Sequence, residues 1–559
     1  MSNTQSTNYQ YFLKGDISGI QEFIFNVKSE GAAKSLKGRS FFIHALSLIC
    51  IKMIEDKIGK QNVEVFYNGG GNFYLLLKID PSEVIADTQK IIDRDCHENN
   101  FYVTLSIIKL DGYDIDNQFG KAWNTLNLQS EKDKLTKFKN YPNGFVAYPS
   151  DEGISAVTSP FDWKALTGFL KREPRYDILE DKENGIEVNG KGVKIFGYHL
   201  TFGSKPFENI VLQLPRWTPS LLSQNPDLVN ENVIQSLQSK EDYIAPEIGF
   251  IIEFSFLAGF AKKRTGTRKI GILKLDVDNL GTILGLLSSK KVAEELSKRI
   301  SVFFGDTLND LLALSISSDS ENSTANTFRE NIYTVFAGGD DCFFVGAWDV
   351  ILQWANLLQE QFNSVSQNFD TYITSSSQEI ISDLKKQLPL TISGGLVMLD
   401  PTYPTTRFAD LAGDALDDAK YFTYPGEQKY DFTKAKINLL NQVLTWNEYN
   451  LTLTTANELK DLVIKEGEPR STVEKLRSTA KEFERLYNRA NINRIQGPAV
   501  SKLFYHIRNS PNQAALSQTI ITPFAKDLIG IFAKGDPSNP LKYPLAARIA
   551  EFLTRNYKA

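Results

Sequence analysis

Asp340 and Asp341 stand together behind two glycines in VFAGGDDCFFVGAW, between runs of apolar and aromatic residues. Paired carboxylates at a glycine turn have a plain reading, a β-hairpin with a polar tip. They also have a chemical one. Phosphoryl transfer asks for positioning and charge neutralisation more than for a side-chain nucleophile. Two divalent ions about 4 Å apart can activate an attacking 3′-hydroxyl and stabilise a leaving pyrophosphate. Mg2+ or Mn2+ takes oxygen ligands of this kind. A third carboxylate, Asp276, ends the apolar run IGILKLDV, so Asp276, Asp340 and Asp341 are the expected metal-binding and catalytic residues. Gly338 and Gly339 let the backbone turn tightly and let a nucleotide come close. Amides of VDNLG, leading into a helix, could cradle a triphosphate. Lys420, on the helix-like FADLAGDALDDAKYF, could reach the same phosphates as a point charge. Each feature is common alone: Asp276 as a helix N-cap, Lys420 as a solvent-facing lysine, the Gly-Gly-Asp-Asp string as a chance hairpin. Their order within one framework points to a nucleotide-and-metal site.

Other chemistries find little support. Cys50, Cys96 and Cys342 form no C-x-x-C pair, and His44, His97, His199 and His506 are widely spaced. A disulfide framework, a zinc ribbon and a histidine metal site are not expected. The N-terminus MSNTQSTNYQ lacks a signal pattern and no apolar run approaches membrane-spanning length, so a cytoplasmic protein without a membrane partner is expected. The 559 residues are 42% hydrophobic and 23% charged, which provides for several cores. Length alone suggests roughly three to five domains. A net charge of −5 offers no global attraction for nucleic acid.

The elements that must position these residues occur twice. YFLKGDISGIQEFIF near the start and IGILKLDVDNLGTIL later are both apolar strands that end in Asp-x-Ser/Asp and lead into a helix. This places Asp16 on Asp276 and Ser18 on Asp278. Helical stretches follow each, then a hairpin, VEVFYNGGGNFYLLLKI in one copy and IYTVFAGGDDCFFVGAW in the other. Gly71 falls on Asp340 and Asn72 on Asp341. Another helix and a closing strand, FYVTLSIIKLD or LPLTISGGLVMLD, complete each copy. The order β-α-β-β-α-β is the ferredoxin-like arrangement, which brings the end of the first strand beside the central hairpin. The first copy keeps Asp16 but lacks both hairpin carboxylates. Two readings of it stand open, nucleotide binding without activation and a structural pseudo-domain. Binding is preferred, because three consecutive glycines (Gly69, Gly70, Gly71) weaken a hairpin unless something approaches the backbone.

Together GDISGIQEFIF, AKSLKGRSFF, NGGGNFYLLL, GILKLDVDNLG, FAGGDDCFFVGAWD and ISGGLVMLDPTYPTTRFADLAGDALDDAK resemble the large cyclase/polymerase subunit of type III CRISPR effector complexes, subtype A in particular, over residues 11 to about 440. The resemblance implies an α+β fold. Residues 1–139 would form a degenerate first palm, 140–262 a small α/β insert without zinc, 263–440 a catalytic second palm and 441–559 a C-terminal helical bundle. It further implies a nucleotidyltransferase, switched on by target RNA, that joins ATP into cyclic oligoadenylates for antiviral defence. The implied partners are guide RNA, target RNA, a small-subunit filament and the subunit that holds the guide 5′ end. Asp276, Asp340 and Asp341 match the family's metal carboxylates. Gly338 and Gly339 match its nucleotide turn and Lys420 its triphosphate lysine. Asp16, Ser18, Gly70 and Gly71 match the first-palm nucleotide site, and Ser393 in TISGG a nucleotide-lining strand.

Two departures follow. The family's histidine–aspartate nuclease domain has no counterpart, since no His-Asp pair occurs, and DNA cleavage is not expected. The zinc module between the palms has no cysteines here. Conjugation of ATP to S-adenosylmethionine at the same site, a scaffold with a dormant palm and a free-standing diguanylate cyclase are the alternatives. From Asn441 to Ala559 there are 17 Lys/Arg against 11 Asp/Glu on helix-like segments, broken at EGEPRS, QGPA and GDPSNPLKYP. EKDKLTKFKNYPNG (131–144) and AKKRTGTRK (261–269) are basic stretches that are either solvated linkers or faces for guide RNA or triphosphate.

Overall fold

The computed structural model describes residues 9–27, 31–96, 101–140, 161–169, 175–181, 186–207, 213–230, 246–316, 325–375, 382–422, 434–487, 498–534 and 539–557. The first repeat has strands β1 (Tyr11–Ser18), β2 (Val63–Gly69), β3 (Asn72–Leu77) and β4 (Tyr102–Lys109). They form an antiparallel sheet in the order β2-β3-β1-β4. Between the palms, β5 (Arg175–Glu180), β6 (Glu187–Asn189), β7 (Gly192–Ile195), β8 (Tyr198–Phe202) and β9 (Lys205–Pro206) make a small sheet of their own. The second repeat has β10 (Ile270–Val277), β11 (Ile332–Gly338), β12 (Asp341–Ala347) and β13 (Ile392–Leu399) in the equivalent order β11-β12-β10-β13. Even a local irregularity repeats: the register shifts between Val65 and Tyr67 in β2 and between Thr334 and Phe336 in β11. A bulge in the same place twists both hairpins the same way.

Alternation along the first strands decides what faces where. In β10, Leu273, Leu275 and Val277 enter the second palm's core with helices Lys290–Val302 and Trp348–Ser375. Ile270 and Ile272 point the other way, into a core shared with helix Ala32–Ile58 of the first palm. Each such buried aliphatic contributes about 1.5–3 kcal/mol. Lys274 and Asp276 continue that second face. The equivalent face of β1 carries Phe12, Lys14 and Asp16 and lies against helix Phe119–Lys134. The residues with chemical potential in both copies therefore line the side on which the palms meet.

Several boundaries drawn from sequence move. Lys436–Leu439 (β14) adds parallel to β13, and Gln442–Thr445 (β15) pairs with it, so the second palm's sheet runs on to Thr445. The 440/441 division falls inside that hairpin's turn, where Leu440 (φ 52) and Asn441 (φ 66) take the left-handed conformations of a tight hairpin. The 262/263 division falls inside helix Phe254–Thr265, which packs on β12. The C-terminal helices begin at Trp446, fixed by a capping box of Thr445 and Glu448, and include Thr522–Lys534. The basic stretches are partly used by the fold. Lys134 pairs with Asp16, Lys263 donates to Asn225, and Arg264 forms a buried two-point pair with Asp349. Cys50, Cys96 and Cys342 are buried free thiols. Among the described residues no helix is long and apolar enough to cross a membrane.

Candidate active site between the two palms

Asp276 lies directly across from Asp341 on β12 and from Ser393 on β13. Directly opposed residues of antiparallel strands place their side chains on one face. The first palm reproduces this row as Asn72, Asp16 and Thr104. Asp340 forms the turn, its carbonyl accepting from the Val277 amide at 2.7 Å, and its side chain is exposed. The Lys420 ammonium donates to the Asp276 carboxylate. Helix Phe408–Tyr421 can deliver Lys420 there because β13 carries Gly395 beneath it. A Cβ on Gly395 would lie 2.4 Å from the Ala412 carbonyl and the Leu416 amide.

Negative charge is in surplus here. Loss of hydration, and then the charge of Asp340, push the Asp276 carboxyl up to about 6 against the opposing pull of Lys420. Burial and the Asp340 charge hold the Asp341 carboxyl well above the usual range. Among the described residues no three Asp, Glu, His or Cys side chains converge as a ligand cage. The expected shared set of Asp276, Asp340 and Asp341 is therefore not preformed as a cluster. The donor chemistry still fits, since Mg2+ is ordinarily held by one or two carboxylates together with substrate phosphates and water.

The first palm answers the same geometry differently. Asp16 sits between Lys14 and Lys134, each 2.9 Å from its Oδ2. Burial alone would raise its carboxyl, but the two lysines outweigh that and hold it below the usual range. Its charge is paired inside the protein. Ser18 is partly exposed at the end of β1 and lines neither of the cavities described below. Ser393 is held by a neighbouring acid. It is fully buried, and its hydroxyl donates to Asp278 at 2.8 Å. Asp278 is the counterpart of Ser18 in the repeat. It also accepts from Thr391 Oγ1 (2.8 Å) and the Ala435 amide (3.1 Å), tying β10 to the start of β13 and the approach to β14. The second acid of the D-x-D string in LDVDNLG was the only sequence signal for it.

What approaches Gly69 and Gly70 is the other hairpin, while Gly71 packs on Ile20 of its own palm. A Cβ on Gly70 would stand 3.1 Å from Gly339 Cα, and one on Gly339 would stand 2.7 Å from Gly70 Cα. Both turns are left-handed there, with φ of 59 at Gly70 and 75 at Gly339. A second seam joins the Phe119 and Gly120 amides to the Ser288 and Leu287 carbonyls at 2.9 and 2.8 Å. Two cavities flank the glycine contact. One of about 550 Å³ is lined by Asp340, Tyr67, Tyr74, Trp123 and Asn127. The other, about 910 Å³, is lined by Asp341, Gly338, Gly339, Gly70, Gly71 and Lys37. Both are of ligand-holding size. Asp276 and Lys420 line neither.

Two family models match this chain: Csm1 subunit domain B over residues 9–150, and the Cas10/Cmr2 second palm domain over residues 269–424. The chain is 27% identical over 531 residues to the Cas10/Csm1 single-strand-specific deoxyribonuclease (subtype III-A) of Methanocaldococcus jannaschii. Over both palms it is similar to Cas10/Csm1 proteins. That match covers 80% of this chain and 62% of the relative. A Cas10/Csm1 relative from Mycobacterium tuberculosis is 26% identical, covering 77% of this chain and 55% of its own length. The chain thus spans about six tenths of the curated Cas10/Csm1 proteins it matches. Solved Csm1-Csm4 cassettes share the fold. One in complex with pppApApA has a TM-score of 0.64 at 18% identity, covering 98% of this chain and 70% of that one. One in complex with cA4 has a TM-score of 0.62 at 17% identity, with the same coverage.

Proposed function

We propose that this chain is the cyclic-oligoadenylate-forming subunit of a type III CRISPR effector complex, active when target RNA pairs with guide RNA. The observation that carries the reading is the glycine contact between the palms. It sets the Asp340–Asp341 hairpin between two cavities, one carboxylate lining each. Two nucleotides held there would meet at that hairpin. Similar solved cassettes in complex with pppApApA, ATP and cA4 support ATP as substrate. Their Csm4 chains support an equivalent partner subunit here.

Asp276, Asp340 and Asp341 would hold the divalent ions, Mg2+ or Mn2+, which when bound activate the attacking hydroxyl and offset the charge of the leaving pyrophosphate. The chain's own contribution is placement. Asp278 holds the end of β10, Gly395 lets Lys420 close on Asp276, and Lys420 limits the repulsion among the acids. Gly338 and Gly339 line the second cavity, where the turn's backbone would stand close to substrate. The relatives' names carry a deoxyribonuclease activity; it is not part of this reading, and no His-Asp pair stands in the sequence.

The test is the assembled complex with Mg2+, ATP and target RNA, its products read by mass spectrometry. Cyclic oligoadenylates are expected from the wild type, with at least a hundredfold loss in the Asp340→Ala/Asp341→Ala double variant. A product that appears only with added S-adenosylmethionine would replace the reading. Synthesis that survives the double substitution would end it.

A further inference from the structure

The proposed reading puts the bond-forming centre where the two cavities adjoin, since Asp340 lines one and Asp341 the other. Few side chains reach that place. Tyr67 and Ser297 line both cavities. Ser297 is 7% exposed within its helix. Tyr67 comes from β2 of the first palm, opposite Tyr74, and leans over the glycine contact. Its hydroxyl lies 3.2 Å from where a Cβ on Gly339 would stand and 3.0 Å from where one on Gly69 would. Unlike the Tyr74 hydroxyl, which meets Asn127 at 3.3 Å, it makes no hydrogen bond among the described residues. A phenol is neutral at ordinary pH, so the group is available as a donor. Nearby carboxylates would repel an anionic group, but a neutral O–H can serve a phosphate oxygen. The same place in the second palm is held by Phe336, so the fold asks only for the ring.

We propose that Tyr67 is a catalytic residue supplied by the first palm, its hydroxyl donating to a non-bridging oxygen of the reacting α-phosphate. The inference rests on the nucleotidyltransferase reading above. In the step concerned, a 3′-oxygen of one nucleotide bonds to the α-phosphorus of the other. The bond from that phosphorus to the pyrophosphate oxygen breaks, pyrophosphate leaves with the electron pair, and the hydroxyl proton passes to solvent. Negative charge gathers on the α-phosphate oxygens, so a donor fixed there acts on the transition state more than on bound ATP. A degenerate palm thereby takes part in its neighbour's chemistry without metal ligands of its own.

The experiment uses the assembled complex with target RNA and Mg2+, comparing wild type with Tyr67→Phe. The expected result is about a tenfold fall in kcat at unchanged KM for ATP. A second measurement uses the two diastereomers of ATP bearing sulfur on the α-phosphate. Sulfur accepts hydrogen bonds poorly, so the rate ratio between them should shift in Tyr67→Phe, which a merely structural role would not do. This ratio cancels the amount of folded enzyme, so it holds even if the variant melts lower. Unchanged kcat, a raised KM with unchanged kcat, or an unchanged diastereomer ratio would each overturn the proposal. A wild type that makes no oligoadenylate would overturn both this and the reading beneath it.

Discussion

The same strand position holds an aspartate in both palms, and its surroundings set opposite costs. Asp276 has its carboxyl at about 6 in the folded chain against an ordinary 3.8, so folding takes up a proton in that interval. The metal-free protein should therefore lose on the order of 2 kcal/mol as pH rises from about 4 to about 6, with no further loss from this group above that. Asp276→Asn should reduce the slope and melt higher than wild type at neutral pH without divalent ions; an unchanged slope would exclude Asp276 as a source of it. Asp16 behaves in reverse. Its carboxyl lies below 3.8, so its stabilisation is present above that value and is lost as acid titrates the folded form. Asp16→Asn leaves two lysines facing a neutral amide and should cost ~3 kcal/mol at neutral pH, read by denaturant melts. Ser393→Ala removes a buried donor to Asp278 and should cost about 1–2 kcal/mol while leaving the KM for ATP unchanged. A raised KM would restore Ser393 to the nucleotide.

At the scale of elements, the two hairpins act as one part. Each turn is left-handed where it touches the other; a methyl group on Gly339 would collide with Gly70, and one on Gly70 would press tightly on Gly339. Gly70→Ala removes no chemical group and lies in the palm without the acid pair. It should still cost about 1 kcal/mol in backbone strain and displace the Gly339 turn. The expected readout is slower oligoadenylate synthesis with a lowered melting temperature; wild-type rate and melting together would mean that the turns do not bear on each other. The three-glycine run, read from sequence as room for a nucleotide, is explained in large part by the approach of this second backbone.

Across the whole molecule, the C-terminal helices are fastened to the strand that carries Asp341. Asn556 donates to the Lys262 and Lys263 carbonyls at 2.8 and 3.0 Å, closing the last turn of helix Phe254–Thr265. That helix lies on β12, and its Arg264 pairs with Asp349 just beyond β12. Trp348 adds a bond to the Thr267 carbonyl at 3.1 Å. Asn556→Ala should cost about 1 kcal/mol and speed amide exchange across 254–265 before it affects the β-sheet. Uniform exchange throughout the palm would show that the helix is not tied from this end.

The repeated β-α-β-β-α-β order, the alignment of Asp16 with Asp276 and of Asn72 with Asp341, and the isolation of the three cysteines were all legible in the sequence. They rest on local periodicity, turn residues and spacing, which the chain displays directly. The site was legible in its acids and glycines. It was not legible in its partnerships: Lys420 closing on Asp276, Ser393 turning to Asp278, two lysines spending Asp16, and Tyr67 standing over the second palm's turn. These depend on which face of one sheet meets another element far away in sequence. No local pattern encodes that approach, because it is decided by how two cores close on each other. The sequence thus determined which groups were available for chemistry, and the packing of palm on palm decided which of them remained free to do it.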